Sequence, residues 1–372
     1  MARNRVIYQS EALYVSENAA QIASGKHKQL ERVQSANYNF SISRTDINQY
    51  GQLGRLDSLV LEAPTVAADF SYYLTDGMNE KALRFADSDF TVGFVSGHLV
   101  EGSGQNLYII ASPEGQDVNI GTQTTGDYTT IALGNAYVTD YTLDASVGSL
   151  PTVSVSMEAL NIRSDSQVSG SADGFSGISS PAIKQEDGSE FTASPVTLGA
   201  PSTGDGTITA LRPGDIVLDF GTASSSATKG PIASIAGDAD GSHVQSVSLS
   251  IPMSRSPLER LGSRFPFART ADFPVTASLS VSAIVNEITA ANLREIIDDE
   301  VGSDITITFN DTSNTEKAKY QLKNAKLDSE SFSSSIGSNK TVDLTFSVAI
   351  GGPSDSVNNV FFSGANNSDA FS

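Results

Sequence analysis

The side chains best able to do chemistry are few and widely spaced in this sequence. Histidine occurs only at His27, His98 and His243, and none of these stands at the spacing of a metal-ligand pair. Cysteine is absent, which excludes thiol nucleophiles, disulfides and thiolate metal sites. No nucleophile elbow, P-loop or dinucleotide-binding glycine motif is present. We therefore expect no enzyme, no catalytic residue, no cofactor and no metal site.

Two acidic stretches are the remaining candidates for ligand binding. The segment GDADGS at 237–242 places two aspartates before a glycine, as a calcium loop does, but it lacks the later ligands and the terminal glutamate. An ordinary turn stabilised by aspartate and glycine is the alternative. The run Asp298–Glu300 favours a solvated helix end over a paired-carboxylate site. These residues do not assemble into a reaction.

The chain is strongly acidic, with 43 Asp and Glu against 23 Lys and Arg and a net charge of -20. This balance argues against tight nucleic-acid binding, which needs cations to neutralise phosphates, but it permits a surface that DNA passes without sticking. High solubility, for example in a salty habitat, is the other interpretation. Residues 1–55 are the basic exception, with seven Lys and Arg against four acids.

Alternation of apolar and polar residues is the main structural pattern. It predicts half-buried strands of antiparallel sheets, because successive side chains of a strand point to opposite faces. The apolar positions are Tyr38, Phe40 and Ile42; Val247, Leu249, Ile251 and Met253; Val275, Ala277, Leu279, Val281 and Ala283; and Val342, Leu344, Phe346, Val348 and Ile350. Helix is predicted at TAANLREIIDDE (289–300) and, more weakly, at DGMNEKALRFA (76–86). The predicted fold class is mostly β, with one helix per half.

Two blocks of sequence occur twice and in the same order. Residues 33–51 and 244–262 share six identities in 19 aligned positions. Residues 133–153 and 322–342 share eight identities in 21 positions. Between the blocks, a one-residue deletion aligns Pro64 with Pro274. The ordered matches indicate a duplicated domain, and the chain is long enough for each copy to bury a core of its own.

The repeat divides the chain into five segments. They are an N-terminal arm (1–29), copy 1 (30–160), an insertion (161–242), copy 2 (243–351) and a C-terminal tail (352–372). The insertion is rich in Gly, Ser and Thr and is expected to contain some β structure, with DIVLDFG at 215–221 as its one clear strand; a wholly disordered linker is the alternative. The tail carries the apolar triplet Val360–Phe362, which either docks on a neighbouring chain or forms a locally buried turn.

A long loop follows the first strand of each copy. The loop RTDINQYGQLGRLDS (44–58) has a counterpart at 255–268, and both begin with an Arg that is followed seven residues later by a Gly. One interpretation is a turn that the fold requires, with the glycine supplying a positive φ. The other is a contact surface used once per domain, because loops carry recognition more often than strands do.

Three stretches of this sequence resemble the tail tube (major tail) proteins of long-tailed bacteriophages. They are MARNRVIYQSEALYVS, VQSANYNFSISRTDINQYGQLGRLDS and PTVAADFSYYLTDG, and the similarity covers both copies, about two-thirds of the chain. The resemblance implies two tandem β-sandwich domains of the tail-tube type, each with one short helix, joined by the Gly/Ser-rich insertion. It also implies a virion protein whose sheets join into a barrel around a lumen, through which DNA passes without specific binding.

The resemblance further implies rings stacked into a tube, with six chains per ring or, for a duplicated chain, three chains in pseudo-sixfold symmetry. The implied partners are other copies and other tail proteins, namely a terminator, a baseplate or tip and a tape measure protein.

Successive rings would be bridged by the loops, through Arg44, Tyr50, Gly51, Arg55, Arg255, Arg260, Gly262 and Arg264. Polar strand faces would line the lumen, and Asp69, Glu158 and Asp343 would add negative charge. We expect the insertion outside the barrel and the basic N-terminal segment on an adjacent subunit.

Two other functions fit parts of the sequence. A cell-surface or S-layer-like β protein would also be acidic and rich in Ser, Thr and Gly. Against it, the first 19 residues lack the apolar core of a signal peptide. No apolar run approaches the roughly 20 residues of a membrane span. We therefore expect assembly in the host cytoplasm without membrane contact. A carbohydrate-active enzyme would need a carboxylate pair flanked by exposed aromatic residues, and no cluster in the sequence nominates such a cleft.

Overall fold

The computed structural model describes most of the chain: residues 11–17, 27–87, 90–100, 104–113, 116–118, 128–171, 174–184, 188–189, 195–201, 211–212, 216–220, 243–284, 302–334 and 339–365. Within these ranges the fold is mostly β, as the alternation predicts. The described helices are α1 (Met78–Ala82), at the weaker of the two predicted sites, and a 3-10 turn at Ser96–His98. The helix predicted at 289–300 lies outside the described residues. No helix in the described ranges is long and apolar enough to cross a membrane.

Twenty-one strands make up the described fold. They are β1 (Glu11–Glu17), β2 (His27–Gln29), β3 (Val33–Ser41), β4 (Thr45–Ile47), β5 (Asp57–Leu59), β6 (Thr65–Tyr73), β7 (Gln105–Ala111), β8 (Tyr128–Ser146), β9 (Thr152–Ala159), β10 (Asn161–Ser171), β11 (Gly174–Ile178), β12 (Val196–Gly199), β13 (Ile216–Asp219), β14 (His243–Pro252), β15 (Arg255–Leu258), β16 (Ala268–Ala271), β17 (Thr276–Ile284), β18 (Ser303–Asn310), β19 (Glu316–Ser333), β20 (Thr341–Ala349) and β21 (Val360–Gly364).

Eight of these strands form one continuous antiparallel sheet. Its order is β3-β6-β9-β8-β14-β17-β20-β19, so β3 and β19 are its two edges. The pair β8–β14 joins the first half of the chain to the second, with Leu143 opposite Leu249. Because apolar and polar residues alternate along the strands, the sheet has one buried apolar face and one polar face.

The two halves of this sheet have the same strand pairing. The register of β3 on β6 recurs in β14 on β17 at positions 211 higher. The register of β8 on β9 recurs in β19 on β20 at positions 189 higher. The bulges recur as well, after Val33 and after Val244 in the first pair, and after Val138 and after Leu327 in the second.

The long strands β8 and β19 each belong to two sheets. The first part of β8 pairs with β7 and β10, and its last part pairs with β9 and β14. In the same way β19 pairs first with β18 and β21, and then with β20. Each strand changes sheet near an asparagine with a positive φ, 53° at Asn135 and 54° at Asn324. Asparagine adopts this left-handed conformation more readily than other residues with a side chain.

Hydrogen bonds that are buried at Asn135 and partly buried at Asn324 fix both asparagines in place. The backbone N–H of Asn135 donates to Oδ1 of Asn106 (3.1 Å), and its side-chain amide exchanges two bonds with the backbone of Ile183 (2.8 and 3.2 Å). The backbone N–H of Asn324 donates to Oδ1 of Asp304 (3.1 Å), and its own Oδ1 accepts from Gly302 (3.0 Å). The two bends therefore combine a local conformational preference with contacts to distant parts of the chain.

The two halves do not bury separate cores. One hydrophobic cluster contains Leu143 and Val155 of the first half together with Leu249 and Phe346 of the second. The sequence repeat led us to expect one core per copy, but the β8–β14 pairing places the apolar faces of both halves on one continuous surface. The core therefore spans the whole sheet.

The segment 161–242 contains more strand than its composition predicts. A strand lies within the predicted DIVLDFG, as β13, but β10, β11 and β12 also form, with β10 paired along β8. Strands β11 and β12 bring Phe175 and Leu198 into a second buried cluster with Tyr14 of β1 and Tyr108 of β7. This cluster lies on the face of the β1-β7-β8-β10 sheet that points away from the main core, since Leu107 and Ile109 of β7 point into that core.

The apolar triplet of the C-terminal tail does not project towards another chain. Val360–Phe362 begins β21, which pairs with β19 of the same chain, and all three side chains are buried. The prediction that the triplet docks on a neighbouring chain is therefore wrong, and the alternative of a turn is replaced by a strand.

We predict that the left-handed backbone at Asn135 distinguishes alanine from glycine. Asn135→Ala should lower the free energy of unfolding by about 2–3 kcal/mol, because it loses buried hydrogen bonds and forces a Cβ into a left-handed conformation. Asn135→Gly loses the same side-chain hydrogen bonds, but glycine adopts a positive φ without strain. This variant should therefore be about 1 kcal/mol more stable than the alanine variant. Urea unfolding of the unassembled chain measures both. Equal stabilities would contradict the role given to φ.

Candidate functional site

The polar face of the eight-stranded sheet extends across both halves of the described fold. Rows of hydroxyl side chains cross it from strand to strand; in one row Thr142, Ser250, Ser278 and Ser347 lie side by side and end at Lys326 on β19. These side chains are half-buried or exposed, and their apolar neighbours along each strand are buried. The face is therefore hydrophilic and built from small residues.

Carboxylates outnumber cations on this face. Asp69, Asp144 and Asp343 are exposed on it, and Asp140 is half-buried. Within the paired segments of the eight described strands, Lys326 is the sole Lys or Arg. The face therefore has acidic character.

Glu158 lies on the same face, but its charge is paired. Its Oε1 is 2.9 Å from Nη2 of Arg269, a residue of β16 that is only 7% exposed. All three residues predicted to face a lumen, Asp69, Glu158 and Asp343, thus lie on the polar face, and two of them are exposed there. The partner Arg269 was not predicted, and nothing in the local sequence distinguishes it from other surface arginines.

The edge strand β3 has an exposed apolar side. Tyr38 is 41% exposed and Phe40 is 59% exposed, although the alternation predicts that both face the core. Their counterparts 211 positions higher, Leu249 and Ile251, are fully buried because β8 pairs along β14. In the described residues no strand pairs with the outer side of β3, and this missing neighbour is the physical reason for the exposure.

The opposite edge, β19, carries a matching aromatic residue. Phe332 is 44% exposed, whereas its counterpart 189 positions lower, Leu143, is buried at the β8–β14 joint. Nζ of Lys340 lies 4.8 Å from the centroid of the Phe332 ring. Sequence reasoning missed Phe332, although the alignment of residues 133–153 with 322–342 pairs it with Leu143 and could have identified it.

The first predicted contact loop is a hairpin of β4 and β5 that is exposed along nearly its whole length. Tyr50 and Leu53, near its tip, are fully exposed. Gly51 has a φ of 92°, which supports the prediction of a glycine-dependent turn. Nη1 of Arg55 lies 3.1 Å from Oδ1 of Asp46, and this ion pair links the two sides of the hairpin. The predicted Arg44 is exposed at the base.

The second predicted contact loop is the hairpin of β15 and β16, and its tip resembles the first. Gly262 has a φ of 93°, and Leu261 beside it is fully exposed. Arg264 is exposed, and the guanidinium of Arg260 lies 5.9 Å from the ring centroid of Phe267. Both hairpins therefore present an apolar side chain at a glycine turn.

The base of the second hairpin is anchored within its own chain. The guanidinium of Arg255 lies 4.9 Å from the ring centroid of Tyr137 and donates to the backbone carbonyls of His98 and, at 3.3 Å, of Arg269. Arg255 is half-buried in this position, unlike Arg44 at the base of the first hairpin. The two arginines that the sequence repeat equates therefore have different surroundings.

The residues considered for chemistry do not come together. Among the described residues, no group of three or more His, Asp or Glu side chains is placed to hold a metal ion. His27 and His98 are buried in separate places, and His243 is exposed at the start of β14. The stretches 237–242 and 298–300 lie outside the described residues.

A buried carboxyl group lies where the two halves meet. Oε1 of Glu80 accepts hydrogen bonds from the hydroxyls of Tyr72 (2.9 Å) and Tyr141 (3.3 Å), and Tyr141 is 2.7 Å from the hydroxyl of Tyr320 in the second half. Glu80 is completely buried. Burial is the largest cause that raises the pKa of Glu80, to about 7, against the opposing effect of the tyrosine hydrogen bonds. This cluster was not predicted from the sequence.

No protein-family model and no curated protein sequence matches this chain. Among solved structures it is similar to the SPP1 tail tube, determined by solid-state NMR and cryo-EM. The two share 14% sequence identity with a TM-score of 0.31, and the match covers 44% of this chain and 80% of that one. A likeness at this level does not place the chain in a family.

We predict that Glu80 makes the stability of the chain fall as the pH rises through neutrality. The pKa of Glu80 is raised in the folded state, so its stabilising contribution is complete below the unfolded value of about 4.5 and is lost as the pH rises through about 7. Glu80→Gln keeps an acceptor for Tyr72 and Tyr141 but cannot ionise. Urea unfolding of the unassembled chain at pH 5 and pH 8 should show a difference between wild type and variant that changes by roughly 3 kcal/mol. The same pH dependence in both proteins would contradict this assignment.

Proposed function

We propose that this chain is the tail tube protein of a long-tailed bacteriophage, whose copies close into rings that stack into a tube for DNA. The observation that carries the proposal is the eight-stranded sheet, in which two four-stranded units of the same register are joined through β8 and β14. Its free edges, β3 and β19, are the counterparts of the two strands at that joint. A sheet with complementary edges is extended by further copies, and it ends only when the ring closes.

The repeated registers support a duplication of one domain. Strands β1, β7 and β10 surround β8 in the same pairing order as β13, β18 and β21 surround β19. On this basis the repeated unit extends beyond the sequence repeat, to residues 11–171 and 216–364. The insertion is then shorter than predicted, at residues 172–215.

The duplication determines the size of the ring. The sequence resemblance to tail tube proteins implies six domains per ring, and each chain supplies two. Three chains therefore complete one ring of pseudo-sixfold symmetry. Each chain already contains one contact between neighbouring domains, the β8–β14 pair, so three of the six contacts in a ring lie within chains. The other three form between chains.

The polar face of the sheet lines the lumen of the proposed tube. Its hydroxyl groups and its carboxylates, including Asp69, Asp144 and Asp343, present a hydrophilic and acidic wall to the DNA. Like charges keep the phosphate backbone from binding, so that the DNA is able to pass. Strands β11 and β12 pack on the opposite side of the fold and cover the exterior. In this proposal the basic N-terminal segment lies outside the lumen and holds an adjacent subunit.

The two hairpins make the contacts between stacked rings. Tyr50 and Leu53 on the first hairpin and Leu261 on the second are fully exposed apolar side chains. Isolated residues of this kind are stabilised when a neighbouring surface covers them. The first hairpin carries more of this exposed apolar surface, and the second is held at its base by Arg255.

We predict three chains of 39.0 kDa in each ring. Native mass spectrometry of isolated rings gives the number of chains, and negative-stain microscopy of the same sample gives the rotational symmetry. Trimers with six similar lobes are expected, because each chain fills two equivalent positions. Rings of six chains would contradict the proposed arrangement, and sheet-like lattices or single globules would contradict a tube protein.

We also predict that Asp144 faces an enclosed lumen after assembly. The chain has no cysteine, so Asp144→Cys provides a single reactive thiol. In assembled tubes this thiol should react with a small maleimide but not with a maleimide carried on a large polymer, which is too wide to enter. Asp117→Cys, an exposed position outside the eight-stranded sheet, is the control and should react with both reagents. Equal labelling of both positions by the large reagent would show that the polar face is on the outside.

A further inference from the structure

The pairing of β8 with β14 inside the chain is a residue-by-residue template for the contact between chains. At the internal joint, seven residues of β14 lie opposite seven residues of β8, from Ser246 opposite Ser146 to Pro252 opposite Asp140. The register differences of 211 and 189 positions convert five of these pairs into pairs of β3 and β19 residues, from Asn37 opposite Ser333 to Ser41 opposite Ser329. We propose that β3 of one copy pairs antiparallel with β19 of the next copy, with Tyr38 opposite Phe332. This inference rests on the proposed function.

The derived register pairs one exposed aromatic side chain from each edge, and it places Phe40, the other exposed aromatic residue of β3, opposite Glu330. On the core face it places Tyr38 opposite Phe332, the positions that correspond to Leu249 and Leu143 at the internal joint. Both aromatic residues are more than 40% exposed in the single chain, and the internal counterparts are buried. An aromatic pair across two strands adds roughly 0.5–1.5 kcal/mol beyond its area burial. Each exposed ring therefore covers the other.

The polar face of the same register has no charge conflict. Asn39 lies opposite Ser331 and Asn37 opposite Ser333, as Ser250 lies opposite Thr142 and Ser248 opposite Asp144 inside the chain. None of the four residues at the new joint carries a charge. The polar face therefore continues without interruption from one chain to the next. A slip by one residue would instead place Tyr38 and Phe332 on opposite faces of the sheet.

A cavity beside β3 provides an independent sign of a missing neighbour. In the second half, a cavity of about 160 Å³ lies between 216–218 of β13, 244–247 of β14 and 145–147 at the end of β8. The corresponding cavity in the first half, between the start of β1 and the start of β3, measures about 270 Å³. Its lining residues include 11–13 and 33–36, and none of the described residues that line it takes the place of 145–147. In the proposed contact Ser334, which follows β19 of the next copy, takes the place of Ala145.

Engineered cysteine pairs test the register. Asn39→Cys combined with Ser331→Cys brings two thiols opposite each other in adjacent strands, within the Cα separation of about 4.4–6.8 Å that a disulfide spans. Oxidised rings should then contain covalent dimers and trimers on a non-reducing gel, and no larger species. Thr142→Cys with Ser250→Cys is the matched control, because these positions are already opposite each other inside one chain and should form a disulfide in the monomer.

Two further results separate the register from the function. Asn39→Cys with Ser333→Cys places the thiols diagonally, about 7–8 Å apart between Cα atoms, and should cross-link much less. Trimeric rings in which this diagonal pair cross-links better than Asn39→Cys with Ser331→Cys would overturn the register but leave the tube proposal standing. If mass measurement of the wild-type chain shows no rings at all, both the tube proposal and this interface are overturned.

Discussion

Backbone hydrogen bonding at sheet edges is the constraint on which the rest of the structure depends. Every strand needs a partner or a cover on each side, because unpaired N–H and C=O groups bind any strand that reaches them. Inside the chain this need is met where β8 pairs with β14. At β3 and β19 it is not met by any described strand, and exposed aromatic side chains accompany both edges. The folded chain is in this sense an incomplete sheet, and the proposed ring is the arrangement that completes it with copies of itself.

A continuous core couples the two halves of the sheet. The main hydrophobic cluster extends across both halves, and the hydrogen bonds among Glu80, Tyr72, Tyr141 and Tyr320 connect them at its centre. Close packing of this kind resists relative movement of the two halves. In a tube wall built from such chains, relative movement would occur only at the contacts between chains.

Much of the fold follows from the sequence, because strand alternation is a local property. The alternating residues of β14, β17 and β20 are buried as predicted. The repeat also identified the counterparts of β3 and β8. The deletion that aligned Pro64 with Pro274 is unnecessary, because equivalent residues of β6 and β17 keep the same offset of 211 positions as those of β3 and β14. The exposure of Tyr38 and Phe40 could not be predicted, because alternation shows which residues share a face but not whether another strand covers it. The strands β10 to β12 were missed because their small residues carry little apolar pattern. Strand β10 pairs with β8, β11 pairs with β10, and β12 pairs with β11.

Amide hydrogen exchange of β3 and β14, before and after assembly, tests the central claim most directly. The two strands have equivalent positions in the sheet, but only β14 has a partner on both sides in the single chain. We expect peptides covering 244–252 to be protected in both states, and peptides covering 33–41 to become equally protected only after assembly. Exchange of 33–41 that stays fast in assembled tubes would show that β3 remains an open edge and would contradict the claim that rings close through it.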